Sequence, residues 1–245
     1  VAWTYPRIIA HRGGGSLAPE NTLASMQKGA SLGFKGVEFD VKLSSDQTAF
    51  LLHDDTLQRT SNGHGDANAL AYAELAKLDA GSWYSKDYAG EPLPRFDDVA
   101  GFLIAHGVWA NVEIKPSKGC DEATGTAVAL ASRALWSEVA LKPVLSSFSV
   151  AALRAAEAAA PELPRGYLVD EVPPDWAVTM RELGCVSLHC NWKKLSRETV
   201  AAVKAAGYGL LLWTVNDPAI ARKFLALGVD AIVTDRLDLI APDFA

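Results

Sequence analysis

Glu38 and Asp40 stand two residues apart in an apolar run, GVEFDVKL. On a strand, side chains alternate between faces, so both carboxylates share one face while Val37, Phe39 and Val41 take the other. The polar turn Ser44-Ser45-Asp46-Gln47 then sends the chain back through Leu51 and Leu52 to His53. If those four residues close a regular hairpin, position 43 faces 48 and His53 comes opposite Glu38. Two acids and an imidazole aimed into one space suit a metal site beside a proton-transfer group.

The same spacing recurs in NVEIK, which carries Glu113 and Lys115, and the run RIIA ends in His11 and Arg12. Three carboxylates from two strands suit a hard divalent cation, Mg²⁺ or Ca²⁺, and no paired His or Cys ligands favour zinc. Burying so many charges is costly unless they neutralise one another or bind something. Pairing of Glu38, Asp40 and Glu113 with Lys115 alone, without metal, is the alternative. With a metal, Arg12 and Lys115 make a positive pocket fit for one phosphate group. His11 and His53 can serve as base and acid, because imidazole titrates near neutrality. His189, on a strand with Asn191 two residues on, is either polar lining or core. Trp213 is either core or a pocket wall, and the glycines 13 to 15 either cradle phosphate through their amides or form a plain loop.

Several elements must hold these residues. Arg7 to His11 is a short strand, and Asn21 or Thr22 caps a helix that Gly33 stops. From Asp55 to about His106, SNGHGDANA and DYAGEPLP are rich in turn residues, with Trp83, Tyr84 and Tyr88 between them. This stretch is expected to be an insertion, although Pro94 to Ala105 looks helical. Strands at 108–115, 143–148, 166–169, 186–190, 209–215 and 231–234 then alternate with helices. The alternation predicts a single (β/α)8 barrel spanning 1–245, with a small inserted cap after the second or third strand. Nine strand candidates are one too many. The excess lies in the opening hairpin, which is too tight for a parallel crossover.

A chain of 245 residues with 49% hydrophobic and 21% charged content is expected to fold as one globular domain. A net charge of −6 without a basic cluster argues against nucleic acid as a partner. No apolar run reaches the roughly 20 residues of a membrane helix. The first residues show no signal peptide, which predicts a cytoplasmic protein, although the absence of a starting Met leaves room for an upstream piece. Cys120, Cys185 and Cys190 lack metal-ligand spacing and read as reduced structural thiols. The oligomeric state is not legible.

HRGGGSLAPENT, VEFDVKLSSDQTAFLLHDDTLQRTSNGHG and NVEIK together resemble the glycerophosphodiester phosphodiesterases, most of all the short cytoplasmic bacterial type. The similarity continues through DAGSWYS, SSF, APELPRG, WTVND and GVDAIVTD. The resemblance implies a barrel with a small cap after the His-Asp motif. It also implies metal-dependent hydrolysis of glycerophosphodiesters to sn-glycerol 3-phosphate and an alcohol. By position, it implies catalytic roles for His11 and His53 and phosphate binding by Arg12 and Lys115. Glu38, Asp40 and Glu113 fall at the metal ligands. Trp213 is no part of that match of site positions; if it is not core, its place on a barrel strand would let it wall the glycerol or the alcohol. A phospholipase C/D-like enzyme acting on intact lipids is the competing enzymatic reading, disfavoured because no amphipathic basic helix suits a bilayer surface. A non-catalytic phosphate-binding barrel is the third.

Overall fold

Ile8–Ala10 (β1), Gly36–Leu43 (β2) and Trp109–Ile114 (β4) are buried along their whole length, as strands covered on both faces must be. Ala49–Leu51 (β3) follows β2 directly. Val144–Ser147 (β5), Arg165–Val169 (β6), Ser187–Asn191 (β7), Gly209–Trp213 (β8) and Ala231–Thr234 (β9) complete the set. The computed structural model describes residues 3–244. In it β1, β2 and β4 to β9 pair in parallel, and β1 contacts both β2 and β9, closing an eight-stranded barrel. The (β/α)8 architecture expected from the alternation is therefore the observed one. Among the described residues, no helix is long and apolar enough to cross a membrane.

The ninth strand is where the hairpin expectation needs correcting. β3 is antiparallel to β2, as the tight turn required, but it meets that strand only at Val41 to Leu43, bridges Arg95 through Phe50 on its other side, and takes no place in the barrel wall. The register is also one residue off the expected one, with Leu43 opposite Ala49. The loop has five residues because Gln47 adopts a positive φ of 63° and the Ser44 amide bonds the Thr48 carbonyl. His53 thus lies beyond the end of β3 and is not cross-strand from Glu38.

Leu23–Ser31 (α1) is capped by Thr22, whose side chain accepts from the Ser25 amide, which settles the two candidate caps. The inserted stretch includes a short α-helix, Tyr72–Leu75 (α2), two 3-10 turns, and a small separate core in which Leu57, Ala67, Leu75, Ala80 and Leu93 pack on Phe50 and Leu52 of the hairpin. Asp79 organises one of its turns by accepting from the Gly81, Ser82 and Gly90 amides and the Ser82 hydroxyl. Phe96–Ala105 (α3) does not belong to that unit. Phe96, Val99, Ala100 and Leu103 pack into the main core, so α3 is the crossover helix between β2 and β4. The irregular part accordingly ends near residue 94, short of the expected 106. Asp121–Leu135 (α4), Val150–Ala159 (α5), Trp176–Glu182 (α6), Arg197–Ala205 (α7) and Pro218–Ala226 (α8) are the remaining outer helices.

Inside the barrel, Ile9, Trp109, Val144, Leu211, Ala231 and Val233 form an apolar cluster toward the N-terminal end, and its members Leu211 and Val233 also reach the cavity above. Trp3 and Tyr5 pack beneath them, with the Tyr5 ring stacked on Trp109 at 4.8 Å. Polar side chains gather toward the opposite end.

Candidate active site

Parallel register sets the acidic group. Asp40 pairs with Glu113 and Glu38 with Asn111 across β2 and β4, so the carboxylates project inward side by side. One oxygen from each of Glu38, Asp40 and Glu113 lies within 4.8 Å of the others, and all three residues are buried. A single divalent cation with oxygen ligands at about 2.0–2.6 Å can span such a group. Burial, together with repulsion from Asp40 and Glu113, raises the Glu38 pKa far above the usual carboxylate range. Burial and Asp40 likewise push Glu113 up to about 7. Asp40 is buried too, but Arg12 and Lys115 outweigh the desolvation and hold it well below its ordinary value. Two of three carboxylates thus lack sufficient positive charge from the protein, and a cation held between them would supply it. The donor set fits a hard divalent metal.

The neighbouring cations are held on the same acids. Lys115 Nζ is 2.7 Å from Glu113 and 3.5 Å from Asp40. Arg12 Nε is 3.5 Å from Asp40, and its Nη1 donates to Glu20 at 2.6 Å. Arg12 has a positive φ of 50°, which turns its backbone amide onto Glu38 at 3.2 Å. Asn21, at φ 57°, clamps Asp40 from both sides, donating to its carboxylate at 2.8 Å and accepting from its amide at 3.1 Å. Non-glycine residues in left-handed conformations are strained, and two of them flank this site.

Each of the two histidines is oriented by an aspartate. His11 Nδ1 lies 2.5 Å from Asp235 Oδ1, and its Nε2 is 3.7 Å from Glu38. Asn216 donates to the other Asp235 oxygen at 2.9 Å. Gly15 makes the approach possible, since a Cβ there would fall 2.3 Å from the Asp235 carbonyl oxygen. His53 Nδ1 lies 2.7 Å from Asp54 Oδ1, leaving its Nε2 as the unengaged nitrogen. Burial lowers the His53 pKa, with the Asp40 charge opposing it. Arg59 bridges Asp54 and Glu20.

These groups line one cavity of about 270 Å³, shared by His11, Arg12, Glu38, His53, Glu113 and Lys115. Trp213 and Phe148 form its wall, edge to face at 5.5 Å, with Trp213 Nε1 buried and unpartnered. Asp40 reaches the site through its carboxylate neighbours although it is absent from the cavity lining. All eight expected residues therefore converge. His189 lines the cavity as well, fully buried, with Nε2 2.8 Å from Ser187 Oγ and burial depressing its pKa to about 3. The glycine loop behaves as a loop: the Gly14 amide donates to Ser25 and the Gly15 amide to the His11 carbonyl. Cys120, Cys185 and Cys190 are free, and burial pushes the thiols of Cys185 and Cys190 up to about 12, which makes them unreactive.

Asp235, Asp54, Asn21, Glu20 and Arg59 are parts of the site to which sequence reasoning assigned no role. A signal for two of them was present. Asp235 follows Thr234, which barrel closure places beside Ala10, and Asp54 is the neighbour of His53.

Acids able to hold a metal, two aspartate-held imidazoles and an arginine–lysine pair, all at the C-terminal end of a (β/α)8 barrel, define the class as a metal-assisted phosphoester hydrolase. Comparison with known proteins narrows this. The model of the glycerophosphoryl diester phosphodiesterase family matches residues 11–239. A glycerophosphodiester phosphodiesterase of Caldanaerobacter subterraneus subsp. tengcongensis is 33% identical over 230 residues, covering 93% of each chain. Among solved structures, an Oleispira antarctica phosphodiesterase in complex with the product sn-glycerol-3-phosphate has a TM-score of 0.89 and 38% identity, covering 94% of this chain and 93% of that one. The Agrobacterium tumefaciens glycerophosphodiester phosphodiesterase has a TM-score of 0.81 and 28% identity, covering 96% and 98%. The chain belongs to the glycerophosphoryl diester phosphodiesterase family and is a phosphoric diester hydrolase.

Proposed function

We propose that the protein hydrolyses soluble glycerophosphodiesters to sn-glycerol 3-phosphate and an alcohol, with His11 as base, His53 as acid and a cyclic glycerol phosphate between the two half-reactions. The observation that carries this reading is the meeting of the acidic trio with two imidazoles, each held at Nδ1 by a carboxylate. Glu38, Asp40 and Glu113 would hold Mg²⁺ or Ca²⁺, which lowers the pKa of a bound hydroxyl and neutralises phosphoryl charge.

His11 Nε2, beside Glu38, takes the proton of the glycerol 2-hydroxyl as that oxygen attacks phosphorus. Asp235 stabilises the imidazolium formed. His53 delivers a proton from Nε2 to the departing alcohol oxygen, and Asp54 holds its ring in position. Water then opens the cyclic diester with the proton transfers reversed: His53 deprotonates the water, and His11 returns a proton to the 2-oxygen. Arg12 and Lys115 stabilise negative charge on the phosphoryl oxygens. Trp213 and Phe148 wall the organic part of the substrate. A cavity of about 270 Å³ is small for a ligand site and suits a deacylated substrate better than an intact lipid.

The test is turnover of glycerophosphocholine, of its analogue lacking the 2-hydroxyl, and of intact phosphatidylcholine. We expect rapid release of choline from the first, with sn-glycerol 3-phosphate as the other product, and essentially no choline from the others. Equal turnover of the deoxy analogue would exclude the cyclic route, and preference for the intact lipid would exclude the substrate assignment.

A further inference from the structure

We propose that Arg59, from the inserted stretch, is a positioning residue that holds His53 and Arg12 in working geometry together, so that the insertion is part of the catalytic apparatus. This rests on the hydrolase reading above and deepens it.

Arg59 makes four hydrogen bonds to two carboxylates. Its Nε and Nη2 donate to Asp54 at 2.6 and 2.9 Å, and its Nη1 and Nη2 donate to Glu20, both at 2.8 Å. A guanidinium has five N–H groups in a fixed fork, so one remains and the plane is locked by two bidentate pairs. Asp54 passes this order to His53 Nδ1 at 2.7 Å, and Glu20 passes it to Arg12 Nη1 at 2.6 Å. Arg12 in turn lies 3.5 Å from Asp40. An unbroken polar chain therefore runs from one proposed proton-transfer group to the proposed phosphate-binding arginine. Its members come from three separate places: the loop after β1, the end of the opening hairpin, and the insertion.

The charge arrangement agrees. Burial raises the pKa of Glu20, but hydrogen bonding to Arg59 and the charge of Arg12 bring it below its ordinary value. Asp54 is likewise held low, chiefly by its bond to Arg59. Without Arg59, two adjacent carboxylates would share Arg12 and His53 alone, and nothing would fix the plane of Asp54. The insertion is independently seated on the same loop, since the Tyr84 hydroxyl donates to the Ser16 carbonyl at 2.8 Å, so Arg59 is presented from an anchored unit.

The Arg59 side chain is 45% exposed, and exposed ion pairs contribute little to folding. This separates positioning from stability. The experiment measures kcat and KM on glycerophosphocholine at saturating metal for Arg59→Ala and Arg59→Lys. Arg154→Ala, which breaks an exposed ion pair with Glu182, is the control. We expect Arg59→Ala to lower kcat about 10- to 100-fold, the usual cost of losing an orienting partner, with KM within about twofold. Arg59→Lys should recover little, because an ammonium cannot hold two carboxylates bidentately. Arg154→Ala should match the unaltered protein. Arg59→Lys at full kcat would overturn the proposal, as would a rise in KM at constant kcat, which would mark Arg59 as a direct ligand contact. A readout independent of turnover is the hydrogen-bonded Nδ1 proton of His53 in NMR spectra. It should be lost to exchange in Arg59→Ala. Its persistence there would refute the link, whereas absence of activity in the unaltered protein would instead refute the hydrolase reading.

Discussion

The two ends of the barrel interior are built from the same strands and have opposite chemistry. Toward the N-terminal end, Ile9, Trp109, Val144 and Ala231 fill the space, with Leu211 and Val233 at the border with the cavity, and Trp3 and Tyr5 pack below. At the C-terminal end, residues further along those strands, or just past them, are His11, Asn111, Glu113 and Trp213, which gather with Glu38, Asp40 and His53 around a cavity. One end releases free energy by removing apolar surface from water. The other consumes it, holding desolvated like charges and strained backbone that fit a ligand better than they fit one another. Stability and chemistry are thus separated along about two residues of each strand, and substitutions at the two ends should fail in different ways.

The largest expected difference is in rate. His11→Ala or His53→Ala should lower kcat by about 10²- to 10⁴-fold, the range for loss of a general acid or base, while leaving the melting temperature nearly unchanged. Ile9→Ala, at the apolar end, should do the reverse. It should cost about 2–5 kcal/mol in denaturant unfolding, with kcat per folded molecule close to normal.

A third substitution sharpens the claim that the polar end is strained without metal. Glu38→Gln removes one of the repelling carboxylates, so the metal-free protein should melt higher than the unaltered one. Its gain in melting temperature on adding Mg²⁺ or Ca²⁺ should be lost. A lower melting point in the metal-free variant would mean that the trio is a structural ion-pair cluster.

The smallest effect concerns His189, whose pKa is about 3 in the fold against an ordinary 6.5. The unfolded chain binds the additional proton between those values, so this group makes stability fall as pH drops from about 6.5 toward 3. His189→Gln should flatten that slope, measured by urea unfolding at several pH values. An unchanged slope would place the acid sensitivity elsewhere.

Much of this was legible in the sequence because both signals involved are local. Strand–helix alternation specified the barrel, and the period-two placement of Glu38 with Asp40 and of Glu113 with Lys115 specified the polar face. What failed was geometry dependent on a single backbone angle or on distant contacts. The positive φ of Gln47 adds one residue to the hairpin loop, moving His53 off the position opposite Glu38. It still reaches the cavity because the chain beyond β3 turns inward, which strand counting does not describe. The helix Phe96–Ala105 looked like part of the insertion because it follows turn-rich sequence, yet its apolar face matches the barrel core. Arg59 carried no signal at all, since its partners Glu20 and Asp54 meet only after the insertion folds back over the barrel mouth.

The central claim is that the polar end of the barrel is a metal-dependent hydrolytic site. Its most direct test is release of sn-glycerol 3-phosphate from glycerophosphocholine by protein first stripped with chelator and then supplied with Mg²⁺ or Ca²⁺. The account predicts no release after stripping, recovery with at least one of the two ions, and no recovery in Glu113→Gln. Full activity in the stripped protein, or no activity with either ion, would contradict it.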